Sequence, residues 1–229
     1  MIHEPASVWA LEQAAPVRPQ VYRILRQRII AGDFAPGVRI SESEIALSCS
    51  VSRQPVREAF IKLAEEGLVE VRPQRGTYVS KISNSAVMDA RFVREAIESD
   101  VVKLLAEMKD PALISELRDQ LVKQRDAMDL DPGVFMELDE KFHQTLAEGA
   151  GKAYAWHVLE GLKSQMDRVR HLSARQFPVA KLFDQHTAIV DAIALGNVVA
   201  AEQALRLHLR EILSDLPAIV AGMPEHFNE

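Results

Sequence analysis

The sequence has one cysteine, Cys49, few aromatic residues and no long apolar run. A single cysteine excludes an intrachain disulfide and a CxxC zinc motif, and it is typical of a reducing compartment. No uncharged apolar run approaches the ~20 residues that a membrane span needs. Residues 1–16 lack the basic start and apolar core of a signal peptide. We therefore expect a cytoplasmic protein that does not associate with membranes.

The net charge of −6 over 229 residues is unevenly distributed. Residues 17–81 contain eleven Lys and Arg against seven Asp and Glu, whereas residues 82–229 contain sixteen against twenty-four. The chain is long enough for two domains with separate cores. Because only the first segment is basic, it is the part that can approach the phosphates of a nucleic acid.

The N-terminal part shows three helical patterns followed by a hairpin pattern. Apolar residues recur about every 3.6 positions across residues 18–32, which predicts a first helix. Ser41 and Ser52 are candidate N-caps of a second and a third helix, and a capping-box glutamate follows Ser41 three residues on. Residues 68–80 contain two β-rich runs around a Pro-Gln-Arg-Gly turn. This order predicts a winged helix-turn-helix domain over residues 18–81.

Beyond residue 81 only helical patterns remain. Proline near the predicted starts and glycine near the predicted ends delimit six helices. Their predicted spans are 84–108, 111–129, 132–149, 152–174, 178–195 and 197–215. Short links between them indicate an antiparallel all-helical bundle over residues 82–229. The expected fold is thus mainly α, with residues 1–17 as a flexible N-terminal extension.

The third helix carries candidate DNA-reading side chains. In a helix-turn-helix the second of the two helices lies in the major groove, and its first turns reach base edges. Arg53 and Arg57 are four residues apart and share one face, where each guanidinium suits the O6 and N7 acceptors of guanine. Gln54 between them can read adenine or bind a phosphate. A solvated surface pair of arginines is the alternative interpretation.

The segment PGVRISESEIALSCSVSRQPVREAFIKLAEEGLVEVRPQRGTYVS closely resembles the DNA-binding domain of the GntR regulators, over about 60 residues without a gap. The resemblance implies that Arg53 and Arg57 contact DNA, assisted by Gln54 and by the backbone of Gly76 at the wing tip. Many members of the family carry arginine where this chain has Ser43. The operator preference implied for this chain therefore differs from theirs.

Four residues in the helical part form a candidate metal site. Asp139 and His143 are four residues apart on one helix face, where a carboxylate and an imidazole can share a cation. His186 and His208 each lie in a separate amphipathic helix. Any one of them alone is more often a partnered core or surface residue. Together they would suit Zn²⁺, Ni²⁺, Mn²⁺ or Fe²⁺; nothing in the sequence selects among these ions, and Zn²⁺ is taken as the first expectation.

Residues 84–216 resemble the FCD-type ligand-binding domain of the FadR subgroup of GntR regulators. The motif Asp-x-x-x-His, a later His before Ile-x-x-Ala-Ile and a final His in the last long helix correspond to the four candidate ligands. The resemblance implies a bound metal and places Arg94 beside it to pair with an effector carboxylate. A salt bridge from Arg94 to Glu98 is the competing interpretation.

Together these features predict a homodimeric, ligand-responsive transcription regulator, not an enzyme. Its partners would be a palindromic double-stranded operator and a small organic acid, and it would repress a catabolic operon. Sugar acids, lactate-like hydroxy acids and dicarboxylates all remain open. A regulator that responds to the metal itself is an alternative. A metalloenzyme that activates water is a weaker one, because it leaves the DNA reader unexplained.

Overall fold

The computed structural model describes residues 9–228. The fold divides into two compact units, one that ends at Ser83 and includes the C-terminal segment from Glu225, and one that spans Asn84–Pro224. In the part of the chain that is described, ten α-helices account for most of the structure and the strands form one small sheet. The predicted mainly helical fold with an N-terminal winged helix-turn-helix is confirmed.

The first unit has the winged-helix order of elements. Its helices and strands are α1 (Val17–Ala31), β1 (Arg39–Ile40), α2 (Glu42–Ser48), α3 (Arg53–Glu65), β2 (Val69–Arg72) and β3 (Gly76–Val79). The sheet is antiparallel in the order β1-β3-β2. The short strand β1 was not predicted, because two residues are too few to show an alternating pattern. It pairs with β3 and so attaches the wing to the start of α2.

The apolar faces of α1 and α3 form the core of this unit. Val21 and Leu25 of α1 pack in one cluster with Val56 and Leu63 of α3, all fully buried. Ser41 and Ser52 occupy the predicted N-cap positions, but neither side chain makes a capping hydrogen bond. The predicted capping box is therefore wrong, and packing of these apolar faces positions the two helices instead.

The described part of the N-terminal segment packs against the first unit, whereas the sequence predicted a flexible extension there. Trp9 is only 4% exposed and packs against Phe34. The Arg28 guanidinium lies 4.4 Å from the centre of the Trp9 ring and 4.7 Å from that of Phe34. Cation–π attraction and burial of the indole thus attach this segment to α1. Residues 1–8 of the predicted extension lie outside the described residues.

The second unit is a helical bundle. Its helices are α4 (Asn84–Met108), α5 (Pro111–Ala127), α6 (Pro132–Gly149), α7 (Ala153–Leu162), α8 (Ser164–Gln176), α9 (Ala180–Leu195) and α10 (Val198–Gly222). Asp110, Asp131 and Asn197 cap α5, α6 and α10 through their side chains. The main apolar cluster joins α4, α5, α6, α9 and α10.

Two helix predictions in this unit are corrected. The predicted helix 152–174 is two helices, because the chain bends at Lys163 and buries its ammonium 2.7 Å from both Glu140 and Asp167. Such a bend has no signature in the apolar period. The last helix runs beyond the predicted residue 215 to Gly222 and contains Pro217. Ile82 then pairs with Phe227, so the C-terminal segment joins the first unit and not the predicted second domain.

Candidate functional sites

The four candidate metal ligands meet inside the bundle. Asp139 and His143 lie on one face of α6, His186 lies on α9 and His208 on α10, and all four side chains are buried. One donor atom from each lies within 4.8 Å of all the others. Three helices therefore converge on a volume the size of a single ion.

The imidazoles face each other through their Nε2 atoms. Nε2 of His208 lies 3.1 Å from Nε2 of His143 and 3.3 Å from Nε2 of His186. Each Nδ1 points outward to an oxygen, at 2.6 Å to Glu98 for His143, 2.8 Å to Gln124 for His186 and 3.0 Å to Gln185 for His208. Each ring is thus held by an acceptor on its outer side.

These outer partners determine which nitrogen carries the proton. A carboxylate only accepts, so His143 donates from Nδ1 to Glu98. The amide of Gln185 donates from Nε2 to Glu211 at 2.8 Å, and that of Gln124 donates to the Leu138 carbonyl at 3.4 Å. Both amide oxygens therefore face a histidine. In the neutral rings the three Nε2 lone pairs point at each other, which is repulsive unless a cation lies between them.

Asp139 supplies the only carboxylate among these four ligands. It pairs with Arg170 through Oδ2. Its Oδ1 accepts no hydrogen bond from the described residues and lies 3.4 Å from Nε2 of His186. Burial alone would raise the pKa of Asp139, but the Arg170 guanidinium lowers it well below its usual range. The carboxylate is therefore ionised, with one oxygen available.

Burial holds His186 and His208 in the neutral form that binds metals. Burial lowers the pKa of His186 to about 3, and burial followed by the neighbouring imidazoles lowers the pKa of His208 well below its usual value. The donor set is three imidazoles and one carboxylate, with an outer hydrogen bond on each ring. This is the arrangement that divalent transition metals require, so the residues present fit the ion.

Arg94 lies at the edge of the same cluster. Its side chain is fully buried and its Nε pairs with Glu98, the residue that also holds His143. Its terminal nitrogens, Nη1 and Nη2, make no hydrogen bond to the described residues. The salt bridge considered as the competing interpretation is thus present, and it leaves the two donors of the guanidinium fork without a partner.

A pocket opens beside Arg94. Its charged and polar lining comprises Arg94, Arg170, Ser173, His208, Glu211 and Asp215, and Met166, Leu182, Leu209 and Ile212 supply the apolar part. Arg170 is already paired with Asp139. Lys181 and Gln185 contact Glu211 at 2.6 and 2.8 Å, and Ser173 donates to Asp215. Of the two guanidinium groups in the lining, Arg94 is thus the one whose terminal nitrogens make no hydrogen bond to the described residues, and the lining also contains two carboxylates.

The candidate DNA-reading side chains share the exposed start of α3. Arg53 and Arg57 both contact Glu42, the first residue of α2, with Nη2 of each arginine 3.1 and 3.2 Å from its Oε2. Gln54 donates to Glu58 at 3.0 Å. These contacts place the two guanidinium groups side by side in front of α2, as the shared helix face required.

The remaining two predicted DNA contacts are Ser43 on α2 and Gly76 at the wing turn. Ser43 is exposed on α2, one residue after Glu42. Gly76 begins β3 with φ of +109°, and a Cβ there would lie 2.7 Å from Nε of Arg39. A side chain at residue 76 would therefore be strained and would displace Arg39. Arg39 was not singled out from the sequence, because it precedes the helix-turn-helix motif.

Two family models match this chain. The model described as "Bacterial regulatory proteins, gntR family" matches residues 18–79, and the FCD domain model matches residues 89–211. The chain belongs to the GntR family. Within this family it combines a helix-turn-helix domain with an FCD domain, so it is a DNA-binding transcription regulator and not an enzyme.

Individual relatives agree with this assignment. The chain is 42% identical to the HTH-type transcriptional repressor RspR of Escherichia coli strain K12, over 96% of this chain and 97% of that protein. A GntR regulator of Rhodococcus sp. RHA1 matches with a TM-score of 0.74 and 29% identity, over 88% of this chain and 98% of that one. E. coli McbR/YncC shares the fold, with a TM-score of 0.78 and 18% identity over 89% and 98%.

FCD domains are known to bind metals, and the cluster of Asp139, His143, His186 and His208 in this chain's FCD domain could hold one. Three residues that hold its histidines, Glu98, Gln124 and Gln185, were not predicted as site residues. Amides and carboxylates on other helices have no spacing that would mark them in the sequence. No described helix has both the length and the apolar composition needed to cross a membrane.

Proposed function

We propose that this GntR protein is a homodimeric repressor of a catabolic operon whose DNA affinity changes when a small hydroxy acid binds beside a metal. The observation that carries the proposal is the convergence of three Nε2 atoms and one free carboxylate oxygen next to the unpartnered nitrogens of Arg94. The repressor assignment is also supported by the similarity to RspR, which is named as a transcriptional repressor.

The metal would be held by Asp139, His143, His186 and His208. Nitrogen and oxygen ligands of this kind favour Zn²⁺, with Ni²⁺, Mn²⁺ and Fe²⁺ as alternatives. When bound, the ion supplies a Lewis-acidic position for a carboxylate or hydroxyl oxygen. Glu98, Gln124 and Gln185 orient the imidazoles, and Arg170 keeps Asp139 ionised.

The pocket favours a ligand with one carboxylate and with hydroxyl groups. Nη1 and Nη2 of Arg94 make no hydrogen bond to the described residues, and together they match the two oxygens of one carboxylate. A second carboxylate would approach Glu211 or Asp215, where like charges repel. Hydroxyl groups can instead donate to these acids or bond with Ser173. Lactate-like hydroxy acids and sugar acids are therefore favoured over dicarboxylates.

Operator binding would use the exposed face of α3 and the wing. Arg53 and Arg57 would read guanines, Gln54 would contact a base or a phosphate, and Ser43 and the Gly76 backbone would contact DNA at the edges of the interface. A homodimer would present two such faces to a palindromic operator. The basic charge of residues 17–81 supports this role.

The dimer would form through α4 and α7. Met88 and Phe92 are exposed on α4, and Tyr154, Val158 and Leu162 form an exposed row on α7. The two helices pack against each other through Val93 and Ile97 of α4 with Trp156 and Leu159 of α7. An exposed apolar face built from two packed helices is typical of a protein–protein interface.

Effector binding can alter DNA affinity only as far as the acid binds one state of the dimer better than the other. Fluorescence anisotropy with operator DNA tests this on metal-stripped protein, on protein with Zn²⁺, and on protein with Zn²⁺ and lactate, galactonate or malate. We expect a hydroxy monocarboxylate to shift operator affinity at least ~5-fold, in the range of ordinary allosteric coupling.

The same titration separates the alternatives. If Zn²⁺ alone produces the whole shift, the protein responds to the metal. If an acid is consumed during incubation, the site is enzymatic. The variant Arg94→Lys retains the charge but not the fork, so it should lose the response to the acid while still binding Zn²⁺. An equal response in this variant would contradict the carboxylate assignment.

A further inference from the structure

The two candidate reading arginines share one carboxylate of their own domain. Oε2 of Glu42 lies 3.1 Å from Nη2 of Arg53 and 3.2 Å from Nη2 of Arg57, and its Oε1 lies 3.3 Å from Nε of Arg57. Arg57 thus meets the carboxylate with two nitrogens and Arg53 with one. Nothing in the sequence pattern marked Glu42, because its partners lie 11 and 15 residues away.

The position of Glu42 suits this arrangement electrostatically. Glu42 begins α2, where the helix dipole favours an acid. Arg53 begins α3, where the dipole disfavours a cation, and Arg57 lies one turn further on the same face. The hydrogen bond from Arg57, together with that from Arg53, lowers the pKa of Glu42 despite partial burial. The carboxylate is therefore ionised at neutral pH and offsets the repulsion between the two guanidinium groups.

We propose that Glu42 is a positioning residue that directs Arg53 and Arg57 towards guanine edges and against phosphates. A guanidinium has five N–H donors, so one shared carboxylate leaves most of them free for DNA. Guanine presents neutral acceptors, which the arginines can bind while they keep their contacts with Glu42. A phosphate brings a negative charge towards the carboxylate and is repelled. Glu42 thus reduces non-specific binding more than operator binding.

The test compares Glu42→Gln with Glu44→Gln. Both variants remove one negative charge from the first turn of α2, but only Glu42 contacts the arginines. Anisotropy is measured with an operator selected by the wild-type protein from random duplexes and with a scrambled duplex of equal length. Three salt concentrations are used. Circular dichroism confirms that each variant is folded.

We expect Glu42→Gln to bind the scrambled duplex ~3- to 10-fold more tightly and with a salt dependence steeper by about one phosphate contact. Operator affinity should change less or fall, so that the specificity ratio drops at least about 10-fold relative to wild type. Glu44→Gln should affect both duplexes equally. Glu42→Asp, which retains the charge, should restore part of the ratio.

An unchanged ratio in Glu42→Gln, or an equal change in both glutamine variants, would overturn the role of Glu42. The inference rests on the proposed reading function of Arg53 and Arg57. The variants Arg53→Ala and Arg57→Ala test that function independently, because each should weaken operator binding whether or not Glu42 positions the arginines. If the arginine variants also have no effect, the reading function has failed along with the positioning role.

Discussion

Nε2 of His143 lies 3.1 Å from Nε2 of His208, although the two residues are 65 positions apart. Both rings bond through Nδ1 to fixed oxygens, so when both rings are neutral the facing Nε2 atoms carry lone pairs with no proton between them. Burying two such nitrogens in contact is unfavourable without a cation. In that state the four side chains have the donor arrangement of a metal-binding centre.

Replacing either reading arginine should weaken operator binding. Arg53→Ala and Arg57→Ala each remove a guanidinium from the groove-facing side of α3, and we expect a loss of ~1–3 kcal/mol in each. Anisotropy at fixed salt provides the measurement. Arg118→Ala, an exposed arginine on α5, is the control and should bind the operator like wild type. Wild-type affinity in both α3 variants would refute the assignment of this face.

The outer hydrogen bonds should contribute to metal affinity. Gln124→Leu leaves Nδ1 of His186 without its acceptor, so we expect the affinity for Zn²⁺ to fall about 10- to 100-fold. Competition with a chromogenic chelator measures it. Gln120→Leu is the matched control, because Gln120 is a buried amide on the same helix that bonds to Thr145 and not to a ligand. Equal losses in both variants would show a general effect of α5 packing.

The apolar face of α4 and α7 should hold the dimer together. Phe92 is 66% exposed in the single chain, and Phe92→Asp would bury a charge in the proposed interface. We expect monomers by light scattering and weaker binding to a palindromic operator. Leu195→Asp, at a side chain 79% exposed at the end of α9, should leave the dimer intact. A Phe92→Asp protein that remains dimeric would place the interface elsewhere.

Acid should weaken a partly buried link between α4 and α10. Hydrogen bonds from Arg210, and next from Arg206, lower the pKa of Glu95 to about 2, and its side chain is 6% exposed. Because the folded-state pKa lies below the unfolded value, this stabilisation is complete above about pH 4.5 and is lost as the pH falls towards 2.

Glu95→Gln tests this link by denaturant unfolding. At pH 7 we expect the variant to be ~1–3 kcal/mol less stable than wild type, with the difference shrinking between pH 5 and pH 3. Glu107→Gln, an exposed acid on the same helix, should differ little from wild type at any pH. A Glu95→Gln deficit that is independent of pH would mean that the carboxylate charge is not what stabilises the contact.

Features that depend on residues close together in the chain could be predicted from the sequence, whereas features that depend on contacts made by folding could not. Helix periods and turn residues predicted the order of the winged helix and most helix bounds, because both depend on nearby residues. The bend at Lys163 was missed, since the contact of this lysine with Glu140, 23 residues away in the chain, forms only on folding. Strand β1 was missed because it exists only by pairing with β3.

In the candidate metal site, the ligands could be predicted from the sequence, but the residues that hold them could not. Asp139 and His143 share a helical spacing, and His186 and His208 were grouped with them as single histidines of two other amphipathic helices. The family motif then matched all four, and the structure brings them together. Gln185 directly precedes His186 in the chain, yet its amide holds His208 on another helix. Glu42 on α2 likewise contacts Arg53 and Arg57 on α3. Partners of this kind are determined by packing, which no spacing in the sequence records.

The metal content of the purified protein tests the proposed sensor most directly. Elemental analysis of the wild type should find about one divalent ion per chain, and the double variant His143→Ala, His186→Ala should contain almost none while retaining its helical circular dichroism. A wild-type protein that contains no metal, and that takes up none of Zn²⁺, Ni²⁺, Mn²⁺ or Fe²⁺ when they are added, would contradict the proposal.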